Sequence, residues 1–274
     1  MRLLIFGLGY SAIRIADLAS RQGAVVVATT RDGRGGTLRF DKEAAVRPAL
    51  AAATHVLSSV PPDGDADPVL ARYSEALAGK KLSYLSSTGV YGDTGGAWVD
   101  ETAAIGGRRP GRAAADLAWL GLAARVFRLP GIYGPGRSAL DRVREGGAHR
   151  VGGTGVFSRI HVDDLAAGVV AGLDAAPGAY NLADGCPAPH DAAVEFAAAL
   201  LGLPPPPIVS LDQLSPMARG FHAENRRVAA NKARRVLGWF PRYPDYRAGL
   251  RAVSATTSPA AASTAPPAAS DVQR

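Results

Sequence analysis

The chain lacks most of the residues that would staple or ligate a structure. Its 274 residues contain one cysteine, Cys186, in the turn-like stretch DGCPAP. One thiol excludes an internal disulfide and a multi-cysteine metal site, and a reducing, cytoplasmic setting is expected. Cys186 itself reads as a loop residue. The five histidines are widely separated, so no metal site is expected. No apolar run reaches ~18 residues, so no membrane-spanning helix is expected. The opening MRLLIFGLGY is too short and too broken by glycine to read as a leader. Lysine is scarce: there are four against 27 arginines, and none lies between Leu82 and Asn231. Tyrosine is absent from Gly92 to Ile132.

What is present describes a globular α/β protein. Hydrophobic residues make up 47% and charged residues 20%, values that can bury a core. The net charge of +7 points to an anionic partner. The arginines are scattered and no basic run alternates with aromatics, so a small molecule, including a phosphorylated one, is favoured over nucleic acid.

Short apolar runs alternate with helical patterns through the first half. RLLIFGLG, AVVVATT, a weak TLRFD, HVLSSV, LSYLSS and ARVFRLPG read as six buried parallel strands joined by right-handed crossovers. Between the first two, Ile13, Ile15, Ala16, Leu18 and Ala19 form a helical stripe that Gly23 closes. The expected fold is a Rossmann doubly wound parallel sheet over residues 1–133. Residues 134–254 form a smaller C-terminal cap region with helices at Val162–Leu173, Asp191–Leu201 and Asn231–Leu237. One strand, AYNLA, returns to the sheet. The Ala/Ser/Thr/Pro-rich segment 255–274 is expected to be disordered.

Gly7-Leu8-Gly9-Tyr10-Ser11-Ala12 is a G-x-G-x-x-A turn between the first strand and the first helix, the context that motif needs for dinucleotide binding. Gly7 permits the tight turn, Gly9 lets the backbone approach a pyrophosphate, and Ala12 allows close helix–strand packing. The amides of the first helical turn, Tyr10 to Ala12, face the phosphates. The second strand ends in Thr29-Thr30-Arg31. A guanidinium there suits a 2′-phosphate, which favours NADP(H) over NAD(H); Asp32 beside it argues the other way, and Arg34 is a candidate helper. Asp41, ending the third strand, is a candidate for the adenine amine. Ser58 and Ser59 at the end of the fourth strand, with Pro61 after them, are expected along the cofactor groove.

Several ordered segments carry a resemblance: GLGYSA, LSSTGVYGD with WVDE, FRLPGIYGPGR, RIHVDDLAAGV, YNLADGCPAP and NKARRVLGWFPRYPDYRAGL. Spanning roughly residues 1–250, they resemble the extended, atypical short-chain dehydrogenase/reductase superfamily, the NAD-dependent epimerase/dehydratase group. The glycine motif departs from that group's usual G-x-x-G-x-x-G. The resemblance implies a Ser/Thr–Tyr–Lys constellation in which tyrosine handles the proton, lysine holds the nicotinamide ribose and Ser/Thr orients the substrate oxygen. Ser87 matches the serine, with Thr88 beside it. The Tyr-x-x-x-Lys pair is missing: the helix that should carry it reads RRPGRAAADLAWLGLAA, which puts Arg108 at the tyrosine position and Arg112 at the lysine position. Arg112 fits a cofactor-holding role but not that of an acid, since a guanidinium stays protonated at neutral pH.

Tyr91 and Tyr133 read as structural in such relatives. Pro130 and Gly131 pass the nicotinamide through backbone contacts. Asp163 caps or precedes a helix, His161 packs near it, Arg128 is either a charge-pair partner or a ligand, and Arg137 lies where relatives hold anionic substrates. By analogy, the Ala-rich helix after Arg112 would support a homodimer. Two readings follow. One is an NADP(H)-dependent oxidoreductase or epimerase with altered acid–base machinery, acting through Ser87, Thr88 or a bound water on a small polar, phosphorylated or nucleotide-linked carbonyl or alcohol. The other is a non-catalytic NADP(H)-binding sensor.

Overall fold

The computed structural model of the chain describes residues 1–153 and 155–257. Its centre is a sheet of seven parallel strands: β1 (Arg2–Phe6), β2 (Val25–Thr30), β3 (Leu38–Arg39), β4 (His55–Ser58), β5 (Lys81–Ser87), β6 (Arg125–Leu129) and β7 (Gly178–Asn181). Their order is β7-β6-β5-β4-β1-β2-β3. The chain winds from β1 out to β3, returns to β4 on the other side of β1, and winds outward again. This reversal places a crevice beyond the carboxyl ends of β1 and β4. The six expected strands and the returning seventh are all present, with the third cut to two residues.

Alternation along each strand feeds two faces. Leu3, Ile5, Leu57 and Phe127 join one core cluster, with Ala12, Ile15 and Ala19 of α1 (Tyr10–Arg21). Leu4, Phe6, Val56 and Val126 join the other. The second face is covered by α2 (Glu43–Ala52), α3 (Pro68–Tyr73) and α4 (Pro110–Gly121). On α1 the buried stripe is Ala12, Ile15 and Ala19, while Ile13, expected on it, is 45% exposed. The helix is turned one position from the expected stripe because its small residues pack against α6 (Val162–Gly172).

The second half adds α5 (Ala139–Arg144), α7 (His190–Leu200), α8 (Pro216–His222), α9 (Asn231–Leu237) and α10 (Tyr246–Thr257). Leu140, Val143, Val194, Ala197, Leu250 and Val253 make a third core of their own above the sheet edge. The last helix runs to Thr257; the expected disorder of the tail falls, from residue 258, outside the described residues. Among the described residues no helix is long and apolar enough to cross a membrane.

Two motifs prove to be structural clamps. Asp164 accepts from the amides of Arg242 and Tyr243 at 2.8 and 3.0 Å, and its carbonyl accepts from the Trp239 indole at 3.0 Å. This ties the WFPRY segment onto α6. His161, not Asp163, caps α6: its Nδ1 accepts from the Asp163 amide at 3.2 Å. His161 is 2% exposed and packed between Tyr133 and Tyr243.

Candidate active site

A cleft of ≈ 820 Å³ runs over the carboxyl ends of β1, β4, β5 and β6 and under the cap. Its first wall is the Gly9–Ala12 half of the glycine turn, and Gly7 supports it from outside the lining. Gly7 has φ +85°, and its amide donates to Thr29 Oγ1 at 3.1 Å while its carbonyl accepts from the Ser59 hydroxyl. Gly9 is the N-cap of α1 and no side chain caps that helix. A Cβ on Gly9 would meet nothing within 4 Å. An uncapped helix start approached by bare backbone is a cradle for an anion. These residues fit a dinucleotide pyrophosphate.

The predicted cofactor residues divide. Gly9, Tyr10, Ser11, Ala12, Ser59, Arg112 and Pro130 line the cleft. Tyr10 donates to the Pro135 carbonyl at 3.2 Å and lies under the Arg137 guanidinium, 5.5 Å from its ring centroid. Gly134 is needed there, since a Cβ would come within 2.6 Å of the Tyr10 hydroxyl. Ser58, expected on the groove wall, is fully buried and its hydroxyl has no hydrogen-bond partner among the described residues. The pleat turns its side chain into the sheet layer and presents Ser59 instead. Asp41 does not line the cleft; Arg39 holds it in a fork, Nε–Oδ1 3.0 Å and Nη2–Oδ2 2.8 Å. Arg31 is exposed beyond β2, outside the cleft lining. Asp32 accepts from the Thr30 hydroxyl at 3.1 Å and the Arg34 amide at 3.4 Å.

The floor is built on a buried polar network. Asp116 of α4, 0% exposed, receives a bidentate contact from Arg128 of β6: Nη2–Oδ1 2.7 Å and Nε–Oδ2 3.1 Å. Ser86 donates to the same carboxylate at 2.6 Å. Arg128 also donates to the Tyr91 hydroxyl at 3.0 Å, and Tyr91 donates to Asn181 Oδ1 at 2.7 Å. Glu101 accepts from the Asn181 amide at 2.7 Å. The SST, VYG, WVDE, VFRL and YNL segments therefore meet in one network beneath the cleft. Arg128 is a charge-pair partner, and Tyr91 is locked as structure.

On that floor Ser87 and Thr88 face the cleft. The Ser87 oxygen accepts from the Gly89 amide at 3.1 Å, which leaves its own proton to donate. Thr88 is 4% exposed and 3.5 Å from the Leu129 carbonyl. Tyr133 lines the cleft, but burial first, and then nearby carboxylates, hold its phenol well above the ordinary value. Its hydroxyl donates to the Asp245 carbonyl at 3.4 Å. Such a group is a poor proton donor.

Arginines dominate the remaining surface: Arg108, Arg109, Arg112, Arg137, Arg142 and Arg159 all line the cleft. Arg108 is held by Glu224 at 2.8 Å, and Arg159 donates to the carbonyls of Phe157, Ala188 and Pro189. His190 lines the cap side; burial first, then the charges of Arg142, His222 and Arg159, push its pKa down to about 4. Asp184, behind Arg159, is pushed up to about 7 by burial, which outweighs the Cys186 amide bond and the Arg159 charge. Arg109, Arg142 and His190 were not legible as site residues, because no spacing links them; they converge from α4, α5 and α7.

No family model matches the chain. It is similar over 93% of its length to a functionally unknown conserved protein from Silicibacter pomeroyi, with 38% identity, a TM-score of 0.82 and 98% of that chain covered. More distant structures share the fold. A dTDP-glucose 4,6-dehydratase from Bacillus anthracis in complex with NAD matches with 17% identity and a TM-score of 0.75, covering 92% of this chain and 95% of that one. A UDP-glucose 4-epimerase from Thermotoga maritima with UDP-glucose matches with 16% identity and a TM-score of 0.74, covering 92% and 97%. Among curated proteins the chain is similar to a 3-diazoavenalumate denitrifying reductase of a Streptomyces species, 37% identical over 154 residues. That match covers 50% of this chain and 48% of the reductase, about half its length. The chain belongs to the family of the Silicibacter pomeroyi protein, and its fold is that of the extended short-chain dehydrogenases/reductases, the NAD-dependent epimerase/dehydratase group.

Proposed function

We propose that this chain is an NAD(P)-dependent oxidoreductase or epimerase that prefers NADP(H) and acts on a small polar carbonyl or alcohol. One observation carries the reading: the uncapped glycine cradle and the Ser87–Thr88 pair line the same cleft. Residues 1–133 form the cofactor half and 134–254 the substrate half. The cradle from Gly9 to Ala12 holds the pyrophosphate, Arg112 the nicotinamide ribose or a phosphate, and Arg31 the 2′-phosphate. Bound there, the nicotinamide supplies hydride chemistry. Ser87 donates its free proton to the substrate oxygen and orients it, with Thr88 behind. Among the described residues no lysine lines the cleft, so in this reading proton exchange runs through Ser87 and a bound water rather than a Tyr–Lys pair. The curated relative is named as a reductase and the structural relatives as a dehydratase and an epimerase, which supports this range of chemistry. We place the protein in the cytoplasm and propose that it forms a homodimer.

Titration with NADPH and NADH, followed by nicotinamide fluorescence, tests the cofactor half. Tight NADPH and weak NADH binding is expected, with the preference lost in Arg31→Ala; binding of neither refutes the reading. The Arg108 and Arg112 substitutions favour a second reading, a cofactor-binding sensor without turnover. Ser87→Ala separates the two: it abolishes turnover in the first and leaves cofactor-linked behaviour intact in the second.

A further inference from the structure

The cap-side end of the cleft differs chemically from the glycine cradle. Arg142 of α5 lines it and is open to solvent there. Protein surrounds it on its other sides, which depresses its pKa by desolvation, and no carboxylate acts against that shift. Its guanidinium has no hydrogen-bond or ion-pair partner among the described residues. Of the neighbouring cations, Glu224 holds Arg108 and Arg226, and Arg159 gives N–H donors to three carbonyls while keeping its charge. The adjacent Asp141 is spent on the Ser138 capping box of α5.

Across from Arg142 stands His190, the first residue of α7. It is close enough for the Arg142 charge to lower its pKa, so its ring is neutral at pH 7. Its Nδ1 is buried without a hydrogen-bond partner; the nearest carboxylate oxygen, of Asp191, is 3.5 Å away. The walls are rings and aliphatic groups. Phe157 stands edge-on to His190 at 6.2 Å and 80°, Tyr246 is 1% exposed, and Ala193 and Leu250 complete the lining.

We propose that this end of the cleft seats a single carboxylate on a flat apolar or aromatic body, with Arg142 as its cation and His190 as a neutral hydrogen-bonding partner. The stoichiometry selects the ligand. One planar guanidinium matches one carboxylate in a fork, and a neutral imidazole adds one donor without adding charge. A phosphate or diphosphate would call for a second guanidinium fork at the same spot, and both terminal nitrogens of Arg159 beside it are turned to backbone carbonyls. Ring walls reward an apolar body by burial and edge contacts. This inference rests on the reading of the cleft as a substrate site and names its substrate class as aromatic monocarboxylates.

Calorimetric titration of the full chain with trans-cinnamate, cinnamamide and UDP-glucose, each with and without saturating NADPH, tests it. Cinnamate is expected to bind about tenfold or more tightly than cinnamamide, the scale of one charge-assisted contact. Arg142→Met should erase that ratio and leave NADPH affinity unchanged. Undetectable cinnamate binding, equal binding of acid and amide, or Arg142-dependent binding of UDP-glucose in preference to cinnamate would overturn it. Failure of NADPH to bind would sink the cofactor reading alone, because the acid-to-amide ratio is measured without cofactor as well.

Discussion

Asp184 gives the sharpest quantitative expectation. It is 3% exposed; its Oδ1 accepts from the Cys186 amide at 3.0 Å, and its Oδ2 has no hydrogen-bond partner among the described residues. Burial raises its pKa from 3.8 to about 7. The folded state therefore holds a proton that the unfolded state has released between those two values. Stability is lost as pH rises through that window, by ~1.4 kcal/mol per pH unit and about 4 kcal/mol in all. His190 works in the opposite sense. Its pKa falls from 6.5 to about 4 on folding, so the folded state binds fewer protons and stability rises across an overlapping window. The wild-type profile mixes both, and Asp184→Asn isolates one. Urea unfolding of both proteins at each pH unit from 4 to 8 should show near-equal stability at pH 4. The variant's advantage should then grow by ~1.4 kcal/mol per unit and level off above pH 7. A difference that stays flat from pH 5 to 8 would refute the reasoning and mean that Arg159 keeps Asp184 ionised in the folded protein.

The buried pair under the cleft predicts a large loss in Asp116→Ala, about 3–5 kcal/mol by urea unfolding, because Arg128 keeps its charge at 2% exposure and loses its carboxylate. Adding Arg128→Met should recover much of that loss, since it removes the stranded charge. Gly9→Val should leave the melting temperature within about 2 °C, because the new side chain meets nothing within 4 Å at its first atom. It should still abolish NADPH binding by filling the cradle, as equilibrium dialysis would show.

Local pattern carried the fold. β1 and β4 are short apolar runs buried on both faces, and turn or helix signals bound them. Such runs alternating with helical patterns read as interior strands of one parallel sheet with right-handed crossovers, while the order of the strands came from the tertiary structure. The glycine turn was legible for the same reason, since Gly7 and Gly9 answer a requirement set within a few residues. Side-chain direction at strand ends was not. Ser58 and Ser59 are neighbours in sequence, yet the pleat buries one and opens the other to the cleft.

Pairing decided the rest. Arg128, Tyr91 and Asp116 lie in three different segments, and only their meeting in one network decides that Arg128 is a charge-pair partner and shows what locks Tyr91. Arg142 and His190 are 48 residues apart, on helices that meet only when the third core forms between them. A charge or an imidazole on a sequence has no assigned partner. Tertiary packing sets which carboxylates are spent, which guanidinium remains free and which ring loses its water, and on those points the sequence is silent.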